Sequence, residues 1–168
     1  MTEPLVFFTE RDIHGYLSNF YPTSFDHENV TFRSSEEFFM YSKATFFGDI
    51  EIANRILKIN RSSAHDLQKE IKRLGRLVRN FDEKKWANSR YDIMKKGLFL
   101  KFSQNSDIKN KLIATGNRML VEGSPYDKVW GSGLNKFTTI TFLKEGRSLP
   151  GQNLLGKALM EVRSALMQ

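Results

Sequence analysis

Glu36 and Lys43 are the residues whose types and spacing most plainly suggest chemistry. They lie in the run Ser35-Glu-Glu-Phe-Phe-Met-Tyr-Ser-Lys-Ala44 of a 168-residue sequence. Seven positions separate them, about two helical turns, so on a helix they share one face with Met40 between them. Their Cα atoms then stand about 10 Å apart. That is too far for a close ion pair, but a small substrate group fits between the two long side chains. Phe38, Phe39, Tyr41, Phe46 and Phe47 make the same helix largely apolar. A charge in that setting is costly unless it is paired or functional. The pattern leaves two readings, a reactive pair or a solvated face carrying unrelated charges.

Three other segments hold candidate groups. Glu122-Gly-Ser-Pro-Tyr-Asp-Lys-Val-Trp-Gly-Ser-Gly133 reads as a loop after a strand, with Asp127 as a carboxylate. Trp130 beside Gly131 is either a platform for a base or sugar or a ring folded onto the core. Gly131 and Gly133 let another group approach the backbone closely, but they lack the spacing of a dinucleotide fingerprint. In Leu17-Ser-Asn-Phe20, Asn19 can donate and accept at once, toward a substrate or its own loop. Leu74-Gly-Arg76 is followed by Trp86 and Arg90, four apart, so Arg90 can reach the ring on a helix.

Composition narrows the chemistry. The sequence has no cysteine, which removes disulfides, thiol nucleophiles and Cys-ligated zinc. Its three histidines, His14, His27 and His65, lack the spacing of a zinc helix. No metal or redox cofactor is expected, with carboxylate-held magnesium the metal option left open. The net charge of +7 points to an anionic partner such as a phosphate, nucleotide or nucleic acid, or simply to solubility. Lys69, Lys72, Arg73, Arg76 and Arg79 form the densest basic group. Most of the 14 phenylalanines belong to a core. There is no signal-peptide pattern at the start and no apolar run of roughly 18 residues, so a cytoplasmic protein with no membrane partner is expected.

The elements that must position these groups follow from periodicity and capping. Leu5 to Phe8 reads as a short buried strand, and Ser24 to Phe32 as a hairpin turning at His27 to Asn29. Ser34 with Glu37 forms a capping box for the Glu36 helix, which Gly48 can end. Ile52, Ala53, Ile56 and Leu57 give a second helical stripe. Ser62 or Ser63 can cap a third helix, and Asp82 a long one to about Phe102. Ser106 caps a shorter one stopping near Gly116. Met119 to Val121 and Thr138 to Leu143 are β-rich and are expected to pair. Asn153 to Leu166 closes the chain as a helix. The tally of six or seven helices and four or five short strands, without regular βαβ alternation, predicts an α+β fold. A single compact, mainly helical domain over 1–168 is expected.

In order and spacing, these segments resemble the NADAR (YbiA-like) family. The matching pieces are Leu17-Ser-Asn-Phe20, Ser35-Glu36 to Lys43-Ala44, Gly75-Arg76, Trp86 with Arg90 and Met94, and Lys101-Phe102-Ser-Gln-Asn105. They continue through Leu120-Val-Glu122, Asp127, Trp130-Gly-Ser-Gly133, Asn153-Leu-Leu-Gly156 and Val162-Arg163. The resemblance implies a compact α+β N-glycosidase. Its substrates would be ADP-ribose on the amino group of guanine, in DNA or RNA, or phosphoribosylamino intermediates of riboflavin synthesis. It implies catalysis by Glu36 and Lys43, with Asp127 as a second carboxylate. Asn19, Ser35, Arg76, Trp86, Trp130, Gly131, Gly133 and Asn153 are the expected substrate contacts. An alternative from another class is a non-catalytic ADP-ribose or nucleic-acid binding module. The sequence departs from the family pattern after the glutamate, where Glu37 and Phe38 replace His and Tyr. No family motif falls in Lys136 to Leu149.

Overall fold

The computed structural model describes residues 2–168. Among them the elements run β1 (Leu5–Phe7), β2 (Phe25–His27), β3 (Val30–Phe32), α1 (Ser35–Phe46), α2 (Ile50–Lys58) and α3 (Ala64–Gly75). Then come α4 (Glu83–Ser103), α5 (Ser106–Ala114), β4 (Leu120–Glu122), α6 (Lys136–Lys144) and α7 (Leu154–Leu166). A 3-10 turn at Gly15–Leu17 interrupts the expected loop. The fold is α+β and mainly helical. No helix among the described residues is long and apolar enough to cross a membrane. The chain gathers into two units: Pro22–Asn105, and the N-terminal segment up to Tyr21 together with Ser106–Gln168.

The Pro22–Asn105 unit opens on the β2–β3 hairpin, antiparallel, with Phe25 opposite Phe32 and His27 opposite Val30. Glu28 and Asn29 both take positive φ, 47° and 65°, as a two-residue type I′ turn requires. Ser34 Oγ accepts from Glu37 N–H at 3.0 Å and so caps α1. Only half of the capping box forms. The Glu37 carboxylate reaches past Ser34 to Arg33, accepting from its backbone N–H at 3.1 Å and from its guanidinium. That guanidinium also donates to the carbonyls of Ile56 and Ile59, at 3.1 and 2.6 Å. One arginine thus joins the start of α1 to the unsatisfied carbonyls ending α2.

Asp49 plays a similar part at the start of α2. It accepts from Ile52 N–H at 3.2 Å, and from Arg79 through both backbone (2.8 Å) and guanidinium (2.9 Å). These Arg79 hydrogen bonds hold its carboxyl well below the usual carboxylate range. Ser63 and Asp82 cap α3 and α4. The core is built on Phe25, Phe32 and Phe38, with ring centroids 5.2 to 6.0 Å apart. Around it α1 packs on α2, α3 and α4.

In the other unit β1 pairs with β4 in parallel, Leu5 opposite Leu120 and Phe7 opposite Glu122. The helix α7 packs on β4, and α6 on β1. This corrects the expected partner of the Leu120 strand. Thr138 to Leu143 is not a strand but lies within α6. Asn135 Oδ1 accepts from Thr138 N–H at 2.8 Å, and the Thr139 and Thr141 hydroxyls donate back to the carbonyls of Asn135 and Phe137. Capping and back-bonding outweigh the β preference of this run, which is a weak prior.

Candidate active site

On α1, Met40 and Lys43 of the Glu36 stripe meet the end of α3. Gly75, the last residue of α3, has room only for hydrogen, since a Cβ there would run into Met40. This close approach brings the Gly75 carbonyl, one of those a helix end leaves unsatisfied, within 2.9 Å of Lys43 Nζ, which donates to it. The Phe81 ring lies against the same amine, its centroid 4.7 Å from Nζ. Burial pushes Lys43 below the ordinary lysine value. Glu36 and Glu83 push it back up, and Arg76 adds a further downward push. Glu36 itself is only 7% exposed, and Ser35 beside it is buried.

Trp86 is also buried, with its ring centroid 5.2 Å from Phe39, 5.8 Å from Phe46 and 6.1 Å from Phe47. The ring packs against aromatic side chains of α1 and its C-cap. Arg90, which the spacing directs toward Trp86, donates to Glu83 at 3.2 Å. Glu37 is tied to Arg33, and Phe38 sits in the core, so the two positions that depart from the family pattern have structural partners here. Sequence reasoning misses Gly75, Phe81 and Glu83 as neighbours of Lys43. Nothing local marks a carbonyl, a ring or a carboxylate that only helix packing brings to an amine.

The structure gathers Ser35, Glu36, Lys43, Arg76 and Trp86 in the Pro22–Asn105 unit. Asn19, Asp127, Trp130, Gly131, Gly133 and Asn153 belong to the other unit, where the loop after β4 is organised by its own backbone. Asp127 Oδ1 accepts from the N–H groups of Val129 and Trp130, at 2.9 and 2.8 Å. The carbonyls of Val129 and Trp130 in turn accept from Leu154 and Leu155, both at 3.1 Å, so the loop backbone caps α7. Gly133 has φ +77°, and a Cβ on Gly131 would crowd the carbonyls of Asp127 and Glu122. Asn153, at φ 50°, accepts from Glu122 N–H and donates to Leu120 C=O, both at 3.0 Å. Its amide stitches α7 to β4. Trp130 is half-buried on this loop, and Asn19 half-buried after the 3-10 turn.

A lysine eased toward its neutral form can add to an imine or carbonyl carbon. A neighbouring carboxylate can carry protons, and a guanidinium such as Arg76 can hold a phosphate.

The model of the NADAR domain family matches residues 6–167. The chain is 36% identical over 177 residues to an N-glycosidase of Acanthamoeba polyphaga mimivirus, covering 99% of each protein. It is 30% identical over 168 residues to a riboflavin biosynthesis protein of Vibrio vulnificus, with all of this chain aligned to 40% of that one. The NMR structure of the E. coli protein YbiA matches the fold with a TM-score of 0.75 at 28% identity, covering 98% of this chain and 85% of that one. With the family model matching nearly the whole length and a relative aligned from end to end, the chain belongs to the NADAR family.

Proposed function

We propose that this NADAR-family chain is an N-glycosidase that breaks the bond between a ribose C1 and an exocyclic amine, with Lys43 as nucleophile and Glu36 as proton carrier. The observation that carries the reading is a half-buried lysine, lowered toward neutrality and sharing a stripe with a buried carboxylate. An amine-linked ribose opens when its ring oxygen takes a proton and leaves C1 as an imine. Neutral Lys43 adds to that carbon. The base amine departs with a proton from Glu36, leaving a lysine imine that water hydrolyses to free sugar and Lys43. Glu36 is favoured over Asp127 as the proton carrier, because Asp127 Oδ1 already receives two backbone N–H groups.

Two substrate classes fit this chemistry. One is ADP-ribose on the guanine amine of DNA or RNA, and the other is a phosphoribosylamino intermediate of riboflavin synthesis. The names of the mimivirus and Vibrio relatives support an N-glycosidase and the riboflavin-related substrate respectively. Arg76 is the proposed phosphate contact and Trp130 the proposed stacking platform. The protein would act in the cytoplasm. A non-catalytic binding module explains the charge equally well but has no use for an amine held in this setting.

Trapping tests the mechanism. Protein incubated with substrate and reduced with borohydride is expected to gain the mass of the sugar on Lys43. Lys43→Ala is expected to lose both adduct and turnover. Wild-type protein that turns over substrate and shows no adduct on Lys43 would exclude this mechanism.

A further inference from the structure

The basic group that runs from α3 to Arg79 divides in the structure. Arg79 is taken up by Asp49 and Glu51. Lys69, Lys72, Arg73 and Arg76 remain together and, with Arg61, line an open groove of about 560 Å³. Their spacing, i, i+3, i+4 and i+7, places them along one helix face. Two carboxylates share the groove, Asp66 and Glu70. Glu70 lies 2.7 Å from Arg73 and 3.4 Å from Arg61. Five cations against two carboxylates leave the groove net positive, and among the described residues no apolar or aromatic side chain lines it. It can read charge but cannot stack bases, which is the character of a backbone-positioning surface.

The groove also has a direction. Arg76 ends it and directly follows Gly75, whose carbonyl accepts from Lys43. From Lys69 to Arg76 the helix rises about 10 Å. With the reach of the long side chains added, such a row meets about two to three successive phosphates of one strand. A free diphosphate would engage only the Arg76 end of such a row.

We infer that the α3 groove docks the phosphodiester backbone of single-stranded nucleic acid and leads the strand to Lys43. That the groove holds a phosphodiester backbone rests on its charge and span; that the strand is single and presents a ribosylated amine at Lys43 rests on the N-glycosidase reading. A single strand is the occupant because an exocyclic amine within a duplex is stacked and paired, out of reach of a lysine on a helix.

The test uses fluorescein-labelled single-stranded DNA, the matching RNA and the duplex, with anisotropy followed at rising salt. The single strands are expected to bind with log K falling against log salt at a slope of about −2, for roughly three phosphates at 0.7 each. Lys69→Ala/Lys72→Ala, both at exposed helix positions, should lower the slope by about 1.4 and weaken binding at least about tenfold at low salt. Turnover of a small phosphoribosylamino substrate should be unchanged in this double variant. Unaltered oligonucleotide binding in the variant overturns the proposal. So does equal affinity for the duplex, or equal competition by poly-glutamate. A matching rise in KM for the small substrate would make the groove a diphosphate subsite instead. If the oligonucleotide binds through Lys69 and Lys72 and no N-glycoside is turned over, the docking stands and the enzymatic reading falls.

Discussion

At Lys43 opposing effects meet on one amine. Burial and Arg76 favour the neutral form, while Glu36 and Glu83 favour the cation. The amine attacks only when neutral, so kcat/KM should rise with pH through the Lys43 ionisation, with a midpoint below the ordinary lysine value of 10.5. Glu36→Gln separates two roles of the carboxylate. Loss of proton transfer should lower the rate roughly 10²- to 10⁴-fold. Loss of its negative charge should move the midpoint further down, because that charge is part of what keeps the proton on Lys43. Paired pH–rate profiles of wild type and Glu36→Gln check both. A midpoint that stays in place or moves up would detach Glu36 from Lys43.

The elements that hold this pair depend on side chains too small to draw notice. Gly75→Ala drives a Cβ into the Met40 side chain, and the shift of the α3 end that relieves the overlap moves the carbonyl that fixes Lys43. A displacement near 1 Å at a catalytic group can cost about 100-fold, and a comparable fall in kcat is expected. Gly97→Ala is the control. A Cβ there would meet Phe38 Cδ1 at 2.5 Å on the core side of α1, so it should destabilise the fold by about 1 to 3 kcal/mol and leave the pH midpoint in place. Kinetics beside urea unfolding of both variants distinguishes site geometry from general packing. The same contrast shows what the sequence could reveal. Ser34 and Asp82 announce two helix starts, and Ser62 or Ser63 a third that the structure gives to Ser63, because capping is local chemistry. The Glu28–Asn29 turn is legible for the same reason, whereas α2 shows in the sequence by its apolar stripe and not by its Asp49 cap. Periodicity also brought Glu36 and Lys43 to one face. The Gly75–Met40 contact, the Phe81 ring beside Lys43 and the parallel pairing of Leu5 with Leu120 are products of long-range packing, and no window of sequence contains them. At Thr138 to Leu143 local propensity pointed to a strand, and a cap from Asn135 decided for a helix.

At the scale of the whole molecule, Lys101 on α4 is a charge-bearing group that folding removes from water. It is 0% exposed, and burial pushes its pKa down to about 7. Its Nζ lies 5.0 Å from the Phe102 ring centroid. The unfolded chain holds this proton up to the ordinary value of 10.5, while the folded protein releases it near 7. Between these values the unfolded state binds more protons, so the Lys101 contribution to stability increases as pH rises across that window. It is present in full above the unfolded value and is lost as pH falls toward the folded one. The total is on the order of a few kcal/mol, since a tenfold change in a proton-binding constant corresponds to about 1.4 kcal/mol. Lys101→Met keeps the length and volume of the side chain and removes the titration. The expected result is a stability difference between Lys101→Met and wild type that moves in favour of the wild type as pH rises from about 7 toward about 10, where the wild-type amine becomes neutral in both states. Urea unfolding of the two proteins across this range, at unchanged m-value, measures the difference directly. Parallel stability curves would show that Lys101 keeps the same proton in the folded and unfolded chain.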